Sequence, residues 1–404
     1  MDYSTLSSPQ AYAAPSVKAK TEVAPLRIAY ATEHDPYDIN AWSGLVVFMR
    51  EALKEAGVDM HVEGPLKEEA IVRTKLKKGY YKYLRGQNYL RDREPAVQRG
   101  YARQLERKLK DVEADALVVP GSTLLAYLDI PHPLVFWSGS TFASMIDFND
   151  GFSYLTGETV QRGHEMEQAA LHKCALAIYA SDWAASSAIN NYDVDPNKVK
   201  VVSYGPNLRH KHTAADIRAY IDAKTFETCK LLFVGRYWGP KGGDTMLEVA
   251  RLLNESGIPT ELDIVGCTPP HDVPDYVKVH GWVRKETPEG LALLDKLYKE
   301  AHFFVLPTLA EAFGVVFAES SSYGLPSLAP RIGGITTAIK DGRNGWLVEP
   351  DEGAKPYVSN ITHLFNDPAR YRELSMRAFN EYETRLNWTA AGQKVRALIS
   401  EFCQ

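Results

Sequence analysis

Short apolar runs alternate with amphipathic stretches along this chain, and the alternation starts afresh near its middle. Residues 26–32 form a short, mostly apolar run, the pattern of a strand buried on both faces of a parallel sheet. Residues 45–56 follow at helical spacing and stop at Gly57, a C-cap residue. Further strands are predicted at 116–119, 134–137, 176–180 and 200–203, with helices over 165–173 and 184–191. From Lys230 the pattern restarts, with strands at 231–234, 261–265, 277–279, 303–306, 327–329 and 346–348. Helices over 244–255, 291–301 and 313–322 lie between them. Strands separated by helices imply parallel sheets covered on both faces, so the expected class is α/β, in two successive halves.

A length of 404 residues suits two or three domains. The net charge of -5 gives no general reason to expect nucleic-acid binding. No apolar run approaches the roughly 20 residues that cross a bilayer. Residues 1–24 carry Ser, Pro, Ala and Tyr without an apolar secretory core, and are read as a disordered leader. Cys174, Cys229, Cys267 and Cys403 are scattered with no CxxC pair, which argues against a disulfide framework or a zinc site and fits a cytoplasmic location. Two domains are expected at 25–210 and 211–387, and residues 388–404 read as a terminal helix opened by Thr389.

The strongest chemical signal is in the second half. Glu311-Ala-Phe-Gly-Val-Val-Phe-Ala-Glu319 places two glutamates eight positions apart, just past the strand that ends at Leu306-Pro307. Ligands of open α/β sheets bind beyond the carboxyl ends of strands. The backbone N–H groups of Phe313, Gly314 and Val315 at the helix start suit an anion or sugar hydroxyls. Alone, the pattern equally fits two solvated glutamates flanking a buried helix. A second cluster, Gly235-Arg236-Tyr-Trp-Gly-Pro-Lys241-Gly242-Gly243, follows the first strand of this half. Arg grips phosphate oxygens in a fork, Lys acts as a point charge, and the glycines permit close backbone approach, although a plain basic surface loop reads the same way. Lys241 is followed by Gly242, so this is no Walker A loop. Near the start, Trp42-Ser43-Gly44 opens a helix without a G-x-G-x-x-G fingerprint. Gly333-Gly334 and Asp341-Gly-Arg-Asn-Gly345 mark two tight turns, structural by default.

Taken in order, these segments resemble the GT-B glycosyltransferases, and specifically glycosyltransferase family 4, whose members retain anomeric configuration. Phe233-Val-Gly-Arg236 with Lys241 is similar to the family's phosphate-gripping pair, and 306–319 to its E-x7-E motif. Ala329-Pro-Arg-Ile-Gly333-Gly334, 341–348, Ser181-Asp-Trp183, 192–202 and Gly205-Pro-Asn207 follow the same pattern. The resemblance implies two Rossmann-like, doubly wound domains facing a central cleft, with the terminal helix 388–404 returning to the first. It also implies a nucleotide diphosphate sugar (UDP-, GDP- or ADP-linked) as donor, with no cofactor and no metal. It implies that Arg236 and Lys241 neutralise the leaving diphosphate, that Glu311 with Phe313, Gly314 and Val315 holds the donor sugar, and that Glu319 meets the ribose. Backbone near Trp282 and Val283 would meet the base, and Gly44 and Asn207 would contact the donor from the first domain. Transfer to an acceptor (a glycan, a lipid-linked group or a small molecule) would run on the front face, with closure about a hinge at 205–212. One departure stands out: residues 137–142, where members often carry a His or an acid, hold no charged group. An epimerase of the same fold, or an inactive nucleotide-sugar binder, is the alternative.

Between residues 66 and 110 the chain is rich in Lys, Arg and Tyr, including Lys75, Lys77, Lys78, Lys82, Arg85, Arg91, Arg93 and Arg99 interleaved with Tyr80, Tyr81, Tyr83 and Tyr89. Such a segment suits peripheral contact with an anionic membrane, an anionic acceptor or nucleic acid. The favoured reading is a solvated helical face around core positions Ile71, Leu76 and Leu84.

Overall fold

The computed structural model describes residues 26–403, and the expected leader at 1–24 lies outside them. The first sheet contains β1 (Arg27–Ala31), β2 (Asp59–Glu63), β3 (Ala116–Pro120), β4 (Leu134–Ser138), β5 (Leu176–Tyr179) and β6 (Val199–Val201). Its order is β2-β1-β3-β4-β5-β6, with every neighbouring pair parallel. The second sheet contains β7 (Cys229–Val234), β8 (Thr260–Val265), β9 (Val277–Gly281), β10 (Phe303–Val305), β11 (Ser327–Pro330) and β12 (Gly345–Val348). Its order, β12-β11-β10-β7-β8-β9, is also parallel throughout.

Central strands read as strands because both of their faces are covered: every residue of β3 and β4 is buried. β2, at a sheet edge, escaped the sequence reading because Asp59, His61 and Glu63 break its apolar run. Two helices not anticipated from the alternation, Lys355–Phe365 and Pro368–Thr384, follow β12 and bury Tyr357, Ile361, Leu364, Tyr371 and Leu374.

In each sheet one place exists where chain order reverses direction across neighbouring strands. In the second it lies between β7 and β10, and in the first between β1 and β3. Loops leaving the carboxyl ends of such a pair diverge and open a crevice, which is where doubly wound sheets take ligands. The four loops concerned begin at Thr32, Gly121, Gly235 and Leu306, and they contain most of the residues singled out above.

The last helix, Trp388–Phe402, crosses back onto the first half and packs on the helix Leu45–Glu55. Gly392 makes this possible, since a Cβ there would lie 2.2 Å from the Ala52 carbonyl oxygen. Trp388 Nε1 donates to Pro206 O at 2.9 Å, and Arg396 Nη1 to Ala56 O at 3.0 Å. Its cap is Asn387, whose Oδ1 accepts from Ala390 N at 2.7 Å, rather than the expected Thr389, whose hydroxyl turns to Glu55. The two halves also touch on the cleft side. Asp182 N donates to Thr337 Oγ1 at 2.9 Å, and the Tyr204 ring meets Phe313 edge-on at 5.2 Å.

The basic segment departs most from expectation. It forms the helix Ile71–Tyr80, a wider turn over Tyr81–Arg85, and the helix Pro95–Lys108. Ile71, Leu76 and Leu84 are not core positions: they are 40%, 71% and 73% exposed.

Candidate functional site

The second half supplies a cradle from the two loops at its reversal point. Gly235 follows β7, and the loop returns at Gly242, which has φ +75°. A Cβ on Gly242 would stand 1.9 Å from the Pro307 carbonyl oxygen, so only glycine lets this loop lie against the one leaving β10. That contact seats Lys241. Its Nζ is 2.7 Å from Glu311 Oε2 and 3.4 Å from Ala310 O, with both charged side chains about one-fifth exposed. Arg236 is exposed, with its guanidinium 5.5 Å from the Trp282 ring and 5.6 Å from the Tyr237 ring. Arg236 has no ion-pair partner among the described residues, and so presents an uncompensated cation beside the Lys241–Glu311 pair.

Glu311 occupies a turn held from below by the glycine pair assigned to a structural role. Gly334 N donates to Glu311 O at 3.1 Å. A Cβ on Gly333 would meet that same oxygen at 2.3 Å, and one on Gly334 would meet Ala312 O at 1.9 Å. The pair is thus the floor of the Glu311 turn. The helix after it is Val315–Ser322, shorter than expected, because Gly314 is left-handed at φ 82° and Phe313 is buried outside the helix. The N–H groups of Phe313 and Gly314 have no backbone partner among the described residues, and that of Val315 opens the helix.

Glu319, the fifth residue of that helix, is 1% exposed. Its Oε1 accepts from Lys285 Nζ at 2.5 Å and its Oε2 from Tyr298 OH at 3.0 Å. A carboxylate oxygen takes two bonds, so each retains one acceptor position. Burial, then the neighbouring Glu319 charge, pushes the Tyr298 phenol well above its ordinary range, keeping it a donor. Lys285 and Tyr298 were not identified from sequence, where nothing distinguishes them from other lysines and tyrosines. Val283 is half-buried against the core, beside the 62% exposed Trp282.

The first half brings Gly44 and Asn207 together. Asn207 Nδ2 donates to Ser43 O at 2.6 Å, and a Cβ on Gly44, with φ +94°, would meet that nitrogen at 3.2 Å. The three residues Trp42, Ser43 and Gly44 all have positive φ, a strained run for the first two. Asn207 lies three positions after Tyr204, whose ring touches Phe313, and this links the two clusters.

Residues 137–142 carry no charge, but the structure brings one to them. The Arg93 guanidinium lies 5.4 Å from the Phe142 ring centroid, and its buried Nε has no hydrogen-bond partner. Nearby, burial raises the Glu33 carboxyl above its usual range, with the His34 and Arg93 charges opposing. Sequence offered no way to separate Arg93 from the other cations of its segment. Among the described residues no group of three or more His, Cys, Asp or Glu is placed to hold a metal ion.

Two parallel sheets with their reversal-point loops turned to a shared cleft define the GT-B architecture, and solved structures of that class superpose on nearly the whole chain. Sucrose-phosphate synthase from Thermosynechococcus elongatus aligns with a TM-score of 0.67 at 18% identity, over 93% of this chain and 98% of its own. HepE of Anabaena in complex with UDP and glucose aligns at 0.60 and 15% identity, over 93% and 100%. Residues 228–367 match the family model described as Glycosyl transferases group 1, so the cradle lies within the matched region. By sequence, the chain is 28% identical over 228 residues to D-inositol 3-phosphate glycosyltransferase 2 of Catenulispora acidiphila, covering 53% of each. It is 30% identical over 228 residues to D-inositol 3-phosphate glycosyltransferase of Thermobifida fusca, covering 52% of this chain and 51% of that protein. The chain thus spans about half the length of the curated relatives it matches. It is a GT-B-fold relative of glycosyltransferases.

Proposed function

We propose that this protein transfers a sugar from a nucleotide diphosphate sugar to an acceptor hydroxyl, with retention of anomeric configuration and without a metal ion. The observation that carries the reading is the placement of Arg236, Lys241 and Glu311 on the two loops that diverge at the β7–β10 reversal point. A diphosphate entering this crevice meets one free cation and one shared with a carboxylate. Arg236 forks two phosphate oxygens while stacked on Trp282, and Lys241 turns part of its charge from Glu311 to the phosphate. Glu311 is thereby freed to accept from the donor sugar hydroxyls, and the N–H groups of Phe313 to Val315 add donors. Glu319 takes the ribose hydroxyls on a carboxylate that Lys285 and Tyr298 hold still.

In the transfer, the bond from the anomeric carbon to the phosphate oxygen breaks through an oxocarbenium-like state. The acceptor oxygen bonds the same face, and its proton passes to the departing phosphate. The cations stabilise the charge that grows on the leaving group, which is the role a metal would otherwise fill. Gly44 and Asn207 reach the donor from the first half, and the Arg93–Phe142 contact there supports an acceptor side in that half. The names of the curated relatives support an inositol phosphate as the first acceptor class to test, and the HepE complexes, with UDP and glucose and with UDP-glucose, support UDP-glucose as the first donor.

The test is nucleotide release from UDP-, GDP- and ADP-sugars, with and without an inositol phosphate or a cell extract, repeated in chelator. Release from one donor, accelerated by acceptor and indifferent to chelator, with an α-linked product from an α-linked donor, is the expected result. Strict dependence on a divalent ion would remove the metal-free mechanism. Interconversion of the donor sugar with no acceptor-linked product would mark an epimerase. The uncharged stretch 137–142 favours one second reading, an inactive nucleotide-sugar binder, which would bind a donor tightly and release nothing.

A further inference from the structure

The helix Ile71–Tyr80 and the turn Tyr81–Arg85 are inverted relative to an ordinary surface helix. Thr74, Lys77 and Tyr81, spaced three and four apart, face the protein. Their contacts are polar or aromatic: Arg91 Nε donates to Thr74 Oγ1 at 3.1 Å, and Lys77 Nζ donates to Glu158 Oε2 at 2.6 Å. The Tyr81 ring stacks on Tyr89 at 5.7 Å. The outward face is apolar. Val72 is 69% exposed, Leu76 71%, Tyr80 50%, Tyr83 80% and Leu84 73%. A surface helix normally turns such a stripe to the core, so its exposure marks a surface built to be covered.

The charge pattern says by what. Residues 71–85 contain no Asp or Glu, while Lys75, Lys78, Lys82 and Arg85 are exposed alongside the apolar stripe. None of the four has an ion-pair partner among the described residues, in contrast to Lys77, which is neutralised inward. Exposed aliphatic side chains flanked by unpaired cations and by tyrosines match the boundary between anionic head groups and acyl chains. The whole protein has a net charge of -5, so this cationic face is local rather than a general property of the surface.

We propose that residues 71–85 are a membrane-docking surface, lying in the plane of an anionic lipid leaflet with Val72, Leu76, Tyr83 and Leu84 inserted and the four cations on the head groups. Among the described residues no helix is long and apolar enough to cross a membrane, so the contact proposed is one of docking at the surface. Docking brings the cleft to the surface. Asn88, just past the turn, bonds Asp150 O and Ser153 O of the neighbouring loop. That loop also carries Phe148, whose ring lies against Gly333 under the Glu311 turn. An acceptor held at a lipid surface would therefore face the crevice. The docking itself stands whether or not the chain is a transferase.

The test is co-sedimentation of the full chain with vesicles of phosphatidylcholine alone and of phosphatidylcholine mixed equally with phosphatidylglycerol. Binding is expected to the mixed vesicles only, and to weaken with salt. Exchanging Lys75, Lys78 and Lys82 for Glu should lower partitioning by at least about a hundredfold, each cation near the surface contributing about fivefold. The double substitution Leu76→Asp and Leu84→Asp should lower it about as far by removing insertion. Both leucines are largely exposed, so thermal unfolding should be unchanged and serves as the folding control. Absence of binding to either vesicle, equal binding to both, or wild-type binding by both variants would overturn the proposal. So would a dimer in solution that the leucine changes convert to monomer, which would assign the face to a second copy.

Discussion

Replacing Lys241 with alanine separates the structural from the chemical part of the cradle. In the folded protein the side chain makes one ion pair, with Glu311, and both partners are about one-fifth exposed. A pair that water reaches contributes about 1 kcal/mol or less, so the denaturant midpoint should barely move. Catalysis should respond differently. The diphosphate gains close to a full negative charge as the sugar bond breaks, in a crevice where a preorganised cation acts with little screening. Losing one such group costs about 2.7–4 kcal/mol in the transition state, which is 10²–10³ in kcat. Because the charge develops during the reaction, KM should change less than kcat. The assay is initial-rate nucleotide release with the donor selected from the panel, beside urea unfolding of both proteins. Glu311→Gln completes the cycle: if Lys241 serves the phosphate more than the carboxylate, the two losses should nearly add, whereas a strut acting through Glu311 would make them overlap. A Lys241→Ala protein that turns over within a factor of about three of wild type, yet unfolds more readily, would refute the argument and make the pair a strut.

Lys285→Ala should behave in the opposite way, because it strips one of two partners from a carboxylate that is 1% exposed; urea unfolding should show a loss of roughly 2–3 kcal/mol, softened by the remaining Tyr298 bond. Gly334→Ala drives a Cβ to 1.9 Å from Ala312 O and must displace the Glu311 turn, so donor affinity measured by calorimetry should fall at least about tenfold while the circular dichroism spectrum stays native. Burial, helped by the Lys224 and Lys230 charges, lowers the His302 imidazole to about 3. The unfolded chain takes up that proton near pH 6.5 and the folded one does not, so the stability it supplies is full above that pH and drains as pH falls. About 2 kcal/mol should be lost between pH 6.5 and pH 5, and the pH slope of unfolding should flatten in His302→Gln by that amount.

Sequence alone was enough for much of the architecture, for a local reason. A parallel strand covered on both faces must be apolar throughout, and a helix lying on it must be apolar every third or fourth residue, so both patterns are written in consecutive positions. The central strands β3, β4, β7 and β10, and the helices after β7 and β10, were legible on that account. Arg236, Lys241 and Glu311 were likewise visible as candidates, because each sits on a strand-to-helix junction marked by glycine, and Glu319 because it stands eight positions after Glu311. Tertiary structure decided what local pattern cannot carry. Strand order depends on pairings between distant segments, and it is the reversal between β7 and β10 that turns two separate loops into one cradle. The glycine pair at 333–334 reads as a plain turn until its backbone is seen under Glu311 and Ala312. Lys285, Tyr298 and Arg93 gain their meaning only from partners that are remote or unmarked in sequence. The basic segment shows the limit most clearly. Its apolar spacing correctly predicted a helix, but periodicity fixes only that a helix has two faces. Which face turns inward is set by what the rest of the fold offers to meet it, and here Glu94, Glu158 and Arg91 take the polar one.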